Sequence, residues 1–337
     1  MDAAVPAAAQ RDALAAGLIA FLLAIFSRRH GLRIAVIGAG AVGGYYGGVL
    51  ARHGEEVFLI CRGANRDAIA RNGLKVDSHW GNFTVKPTAM PDPKGVGPVD
   101  LVIYAVKLYS NPEALPLIKP LLGPRTVILP IQNGAESPAK VAEVYGWDRV
   151  VAGTTYIETA RVAPGHIHQS GSTARIAFGE QDGSISDRVR MIEKVLTKEG
   201  IQVEVSKDIR STLWSKLVAV AAIGTVMTAF RSSYVDVLAN PEGERTVQAL
   251  MEEIVLVGKS QGVKFAPDVV TKRMAGAREE AREMVSSLQL DFNAGNPLEL
   301  DDLIGAVVRA GRKSGVPVPA SAALYGALYG FRTGGRR

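Results

Sequence analysis

A chain of 337 residues, 47% of them hydrophobic, has material for two domains with sizeable cores and the composition of an ordinary globular protein. Of its formal charge of +6, residues 1–32 carry +1 and Arg332, Arg336 and Arg337 carry +3, which leaves +2 on the body and weak grounds for a nucleic-acid partner. The single cysteine, Cys61, excludes an intramolecular disulfide and a cysteine-based metal cluster, and fits a reducing cytoplasm.

Residues 1–32 read as an extension outside the fold. Ala13 to Phe26 is an apolar run, but it falls short of the ~18 or more residues expected of a membrane span. Asp2 and Asp12 spoil the basic start of a signal peptide, and Arg28-Arg29-His30 come after the run without a small-residue cleavage site. The length favours an extraneous extension or a docking helix over a membrane anchor.

Arg33 to Arg62 organises the rest of the chain. Ile34 to Ile37 is the short apolar run of a strand buried on both faces of a parallel sheet. Gly38, Gly40 and Gly43 then supply G-x-G-x-x-G where that strand must turn into a helix, with Ala39, Ala41 and Val42 between them. The glycines alone are weak evidence. Their place between a strand-like run and a helix, with a second run at Val57 to Ile60, points to dinucleotide binding. An NAD site usually carries Asp or Glu at the end of the second strand to hold the ribose 2′-OH. This chain has Cys61-Arg62, and an arginine fork suits the 2′-phosphate of NADP(H).

The βα alternation continues. Asn65 to Asn72 reads as a short helix, Leu74 to Pro91 as strand and loop, and Asp100 to Val106 as a buried strand ending at Lys107. A helix is expected from Pro112 through Leu122, then a strand from Thr126 to Ile131 ending in Gln132-Asn133-Gly134. Ligands in open α/β sheets collect beyond the carboxyl ends of strands, where Lys107 and Asn133 fall. A solvated lysine and an ordinary turn account for the same residues equally well. From about Gly153 the pattern changes: Thr154 to Thr159 and Gly165 to Gly179 suggest antiparallel strands turning at Pro164-Gly165. His166 and His168 share one side of such a strand, but no cysteine or carboxylate cluster completes a metal site, and none is expected. Ser186 to Lys198 reads as an amphipathic helix and Ile201 to Val205 as a last strand, with a domain boundary near Ser206.

Helical patterns fill the remainder. From Leu213 to Phe230 the only charged residue is Lys216, in a segment that reads as too short to span a membrane and apolar enough to be buried. A lysine there must snorkel or be used. Positions 216, 220 and 224 share one helix face, and the latter two are Val220 and Gly224. Apolar neighbours disfavour the ammonium form and lower the lysine pKa toward the range useful for proton transfer.

GAGAVGG at 38–44, AVK at 105–107, QNG at 132–134, LWSK at 213–216, SSLQLD at 286–291 and PLELD at 297–301 together resemble the ketopantoate reductase family, from residue 33 to about 331. The resemblance implies an α/β fold: a Rossmann-type NADP-binding domain over 33–206, an all-α substrate domain over 207–331, and a basic tail at 332–337. It implies NADPH-dependent reduction of a 2-keto acid, as in the conversion of ketopantoate to pantoate in pantothenate biosynthesis. Lys216 then becomes the general acid, Asn133 a contact to nicotinamide and substrate, and Ser287 a substrate hydrogen-bond donor. Gly38, Ala39, Gly40, Ala41, Val42 and Gly43 hold the cofactor, with Arg62 on its 2′-phosphate and Lys107 and Glu299 beside it. The partner implied is a small 2-keto acid in a cytoplasmic enzyme, without nucleic acid or membrane and with a homodimer left open. One departure matters. The family has asparagines four and eight residues after the lysine, on the substrate's hydroxyl and carboxylate end, where this chain has Val220 and Gly224. That leaves the keto acid open and favours a more apolar one. A related NADP-dependent hydroxyacid dehydrogenase and a non-catalytic NADPH sensor stay as alternatives, and retention of Lys216, Ser287 and Glu299 favours catalysis.

Overall fold

The computed structural model describes residues 31–335. The apolar run Ala13 to Phe26 and the last two arginines of the basic tail lie outside the described residues.

The chain begins with β1 (Arg33–Ile37), α1 (Ala41–Arg52), β2 (Glu56–Ile60), α2 (Gly63–Asn72), β3 (Leu74–Asp77), β4 (Phe83–Val85) and β5 (Thr88–Met90). It continues through β6 (Leu101–Tyr104), α3 (Asn111–Ala114), β7 (Val127–Pro130), α4 (Ser137–Tyr145), β8 (Ala152–Ala163), β9 (His166–Gly179), α5 (Asp187–Leu196) and β10 (Gln202–Val205). Strands β5-β2-β1-β6-β7 form one sheet in that order, all parallel. From β1 the chain steps outward one way through β2 and β5, and the other way through β6 and β7. The reversal opens a crevice beyond the carboxyl ends of β1 and β6, where doubly wound sheets bind ligands.

Both faces of this sheet are covered over its central strands, which is why residues 34–37, 57–60, 101–104 and 127–130 are apolar runs. Ile34, Val36, Leu59, Leu101 and Ile103 pack into one core, whereas Ala35, Ile37, Ile60, Val102 and Tyr104 pack into the other. The alternation comes from the two-residue repeat of a strand. A second sheet, ordered β10-β9-β3-β4 with β8 paired to β9, lies beside the first. Strands β8 and β9 form the expected antiparallel hairpin, and β10 adds to β9 in parallel.

The segment expected to be helical from Pro112 through Leu122 differs. Only Asn111–Ala114 is α-helical, and Leu115–Leu121 is a 3-10 stretch. Pro116 and Pro120 each lack the N–H that an α-helix would use and clash with the preceding turn.

The rest is helical: α6 (Ile209–Phe230), α7 (Tyr234–Ala239), α8 (Pro241–Ser260), α9 (Val269–Glu280), α10 (Ser287–Ala294), α11 (Ile304–Ser314) and α12 (Pro319–Leu328). Helix α6 starts earlier than the apolar run suggests, at Ile209, because the Asp208 side chain caps it by accepting from Ser211 N at 2.9 Å. Its 22 residues make it long enough and apolar enough to cross a bilayer, contrary to the expectation from the shorter run, yet 61% of its apolar window is buried within the protein. Helix α6 packs most extensively on α8, α10 and α12 and also touches α7, α9 and α11, and Leu217, Ala221, Val226, Leu250, Ile254, Leu288 and Ile304 make up much of the shared core.

Candidate functional site

At the end of β1 the glycines allow an unusually close turn. Gly38 has φ +93°, and a Cβ there would lie 2.7 Å from Val106 Cγ1 at the end of β6. A Cβ on Gly43 would strike the Gly38 carbonyl oxygen, so α1 sits against the turn only because both positions are glycine. Gly40 is different: nothing lies within 4 Å of where its Cβ would be. Gly40 is also the N-cap of α1 and has no side chain to satisfy the first-turn N–H groups, including those of Ala41 and Val42. Open space, free N–H donors and the positive end of a helix dipole fit a pyrophosphate.

Below the turn is a cavity of about 190 Å³ lined by Gly38, Ala39, Gly40, Cys61, Arg62, Asn65 and Arg161, among others. Arg62 is exposed there and paired with Glu113 at 3.1 Å. Burial pushes the Cys61 thiol up to about 11, with Arg66 and Arg161 pulling the other way, so it stays neutral. Asn65 donates to Ala39 O at 2.8 Å and accepts from Gly165 N at 2.9 Å, tying the glycine turn to the β8–β9 turn.

The second centre is Lys216. Its Nζ donates to Asn133 Oδ1 at 2.9 Å, Thr154 Oγ1 at 3.0 Å and Thr155 O at 2.6 Å, and lies 5.4 Å from the Tyr156 ring centroid. Burial pulls its pKa down to about 8, with Glu299 opposing. The lysine therefore does not snorkel: its ammonium is hydrogen-bonded inside the protein to three acceptors.

Asn133 links this lysine to a larger polar chain. Its Nδ2 lies 3.5 Å from Glu299 Oε2, and the other Glu299 oxygen accepts from Leu108 N at 3.0 Å. Lys107 Nζ bridges Glu299 at 3.3 Å and Asp291 at 2.9 Å. Burial works against the Lys107 charge, but these two carboxylates outweigh it and raise its pKa above the ordinary lysine value. Lys216, Asn133, Glu299, Lys107 and Asp291 thus form one continuous network.

Ser287 is placed less directly. It is the exposed first residue of α10, after Ser286, whose Oγ caps that helix through Gln289 N. Ser286 Oγ, rather than Ser287, lies 3.6 Å from where a Cβ on Gly224 would be. His166 pairs with Asp77 across the β3–β9 ladder, and no group of three potential metal ligands occurs among the described residues. Sequence reasoning missed Thr154, Thr155, Tyr156, Asn65, Arg161 and Asp291. Asp291 closes the SSLQLD motif and was open to notice, whereas the others carry no local signal.

Comparison with known proteins agrees with this geometry. Residues 34–183 match the family model described as ketopantoate reductase PanE/ApbA, and residues 208–331 match its C-terminal counterpart. The 2-dehydropantoate 2-reductase of Mesorhizobium japonicum is 30% identical across 86% of this chain and 94% of its own. The crystal structure of a PanE/ApbA family ketopantoate reductase from Ralstonia eutropha is 30% identical and superposes with a TM-score of 0.83 over 89% of this chain and 98% of its own. At 20% identity, D-mandelate dehydrogenase solved with NADH and anilino(oxo)acetate shares the fold, with a TM-score of 0.81 over 89% of this chain and 98% of its own. A Rossmann-type crevice, a helical region carrying one buried lysine, and both parts of one family pattern in the same order place the chain in the ketopantoate reductase family of dinucleotide-binding oxidoreductases.

Proposed function

We propose that this protein is a cytoplasmic NADPH-dependent reductase of a 2-keto acid whose side chain is more apolar than that of ketopantoate. The observation that carries the reading is the buried Lys216 ammonium, joined through Asn133 to Glu299. The nicotinamide, when bound, supplies the hydride. Gly40 and the first turn of α1 hold the pyrophosphate, and Arg62 holds the 2′-phosphate at the price of its contact with Glu113. Lys107 and Glu299 flank the cofactor, and Asn133 orients the carbonyl against Lys216. The ammonium stabilises negative charge as it forms on the carbonyl oxygen and passes a proton to it. Ser287, at the start of α10, is assigned as a substrate hydrogen-bond donor.

The side-chain preference rests on Val220 and Gly224, one and two turns beyond Lys216 on its helix. Neither offers a hydrogen bond to the ketopantoate hydroxyl, and a buried polar group left unpaired costs about 1–3 kcal/mol. We take the cofactor-binding and substrate-binding domains to divide near Ser206. The test is a panel of 2-keto acids assayed by NADPH absorbance. 2-Ketoisovalerate and 2-keto-4-methylvalerate should exceed ketopantoate in kcat/KM by about 5- to 150-fold. A clear preference for ketopantoate would restore the reaction after which the family is named, and turnover of no keto acid would remove the catalytic reading.

A further inference from the structure

The cavity under the glycine turn contains an arginine that the sequence does not mark. Arg161 belongs to β8, in the second sheet, and no motif links it to a cofactor. It nevertheless lines the same cavity as Gly38, Gly40, Cys61 and Arg62.

Its place there is built. Asn65, itself buried, holds Ala39 of the glycine turn with one end of its amide and Gly165 of the β8–β9 turn with the other. Gly165 takes φ +72°, and a Cβ there would come within 3.1 Å of Ala68 on α2, so the hairpin tip is seated against that helix. Lys75 N adds a further bond to Gly165 O at 2.9 Å. The β8–β9 register shifts between Arg161 and Ala163, the kind of irregularity that re-aims a side chain.

The charge balance is uneven. Arg62 is compensated by Glu113, whereas Arg161 makes no ion pair among the described residues. Cys61, in the lining of the same cavity, is neutral and adds no competing anion. A phosphate monoester near neutral pH carries close to two negative charges and three acceptor oxygens, more than one guanidinium fork satisfies.

We propose that Arg161 is the second arm of a two-arginine clamp that, with Arg62, would hold the 2′-phosphate of NADPH, and that it sets cofactor specificity. Asn65 acts as the positioning residue that brings β8 to the cofactor. The inference rests on the NADPH reading above and deepens it.

Intrinsic tryptophan fluorescence of the full chain, titrated with NADPH and with NADH, tests both. Wild type should bind NADPH more tightly, and Arg161→Ala should weaken NADPH by about 10- to 100-fold while leaving NADH within about twofold, the loss expected of a charge-assisted bond. Arg161→Lys, which keeps the charge without the fork, should fall between. Unchanged NADH affinity shows that the variant is folded, and Arg161→Gln replaces it if Arg161→Ala does not fold. Wild-type preference for NADPH with no change in the variant, or with equal loss for both cofactors, overturns the clamp and leaves the NADPH reading standing. Wild-type preference for NADH overturns both.

Discussion

Burial pulls the Lys216 pKa down, to about 8 from 10.5, and the sign of that shift makes two separate predictions. The ammonium is the proton-donating form, so kcat/KM for keto-acid reduction should be flat below the lysine pKa and fall as pH rises through about 8. Oxidation of the hydroxy acid needs the neutral amine and should rise over the same range. For stability, the unfolded chain binds this proton more tightly than the folded one. The folded state therefore gains relative stability as pH climbs from about 8 to 10.5, and the gain is absent below. Replacing the proposed donor, Lys216→Ala, should lower kcat by about 10²–10⁴-fold while NADPH affinity stays near wild type. Full activity in that variant would remove Lys216 from the chemistry. The lysine was legible because it is the one charge in an apolar run. Its acceptors were not, because Thr155, Thr154 and Asn133 are 61, 62 and 83 residues away and meet it only once β7, β8 and α6 are assembled.

At the scale of elements, α6 is a largely buried core helix whose Lys216 reaches out of the helical region to acceptors in the α/β region. A Cβ on Gly224 would make ordinary contact, at 3.6 Å, with Ser286 Oγ, so packing does not require a glycine at that atom. Val220→Asn with Gly224→Asn should therefore shift the ratio of kcat/KM for ketopantoate to that for 2-ketoisovalerate upward by about 5- to 150-fold. An unchanged ratio would show that this face does not line the substrate pocket. Elements defined by contiguous residues were the easiest to read: β1, the glycine turn, α1 and β2 arise from about thirty consecutive residues and one repeating pattern. Over Pro112 to Leu122 the local conformation is decided by Pro116 and Pro120, which interrupt the α-helical hydrogen bonds and leave a 3-10 stretch. The second sheet was half legible. Its hairpin is local, but the pairing of β3 with β9 joins segments some ninety residues apart, and no periodicity shows that.

Across the whole molecule, the polar network passes repeatedly between the α/β region and the helices: Lys216 lies on α6, Asn133 comes after β7, Glu299 precedes α11, Lys107 comes after β6, and Asp291 lies on α10. Arg282 with Glu158, and Lys140 with Asp302, add ion pairs across the same junction. Lys107→Met should leave Glu299, only 4% exposed, with a partly unpaired charge. The cost should be about 1–3 kcal/mol in chemical denaturation, toward the lower end because Lys107 is itself 37% exposed. No loss would show that water replaces the ammonium without penalty. The three acceptors of Lys216 all come from the α/β region, although the lysine belongs to a helix of the other part. The proposed proton donor is thus a property of the junction and of neither part alone. A motion that parted the two regions would take Thr154, Thr155 and Asn133 away from the ammonium together, so the proposed acid would be held in place only while the two regions stay in contact.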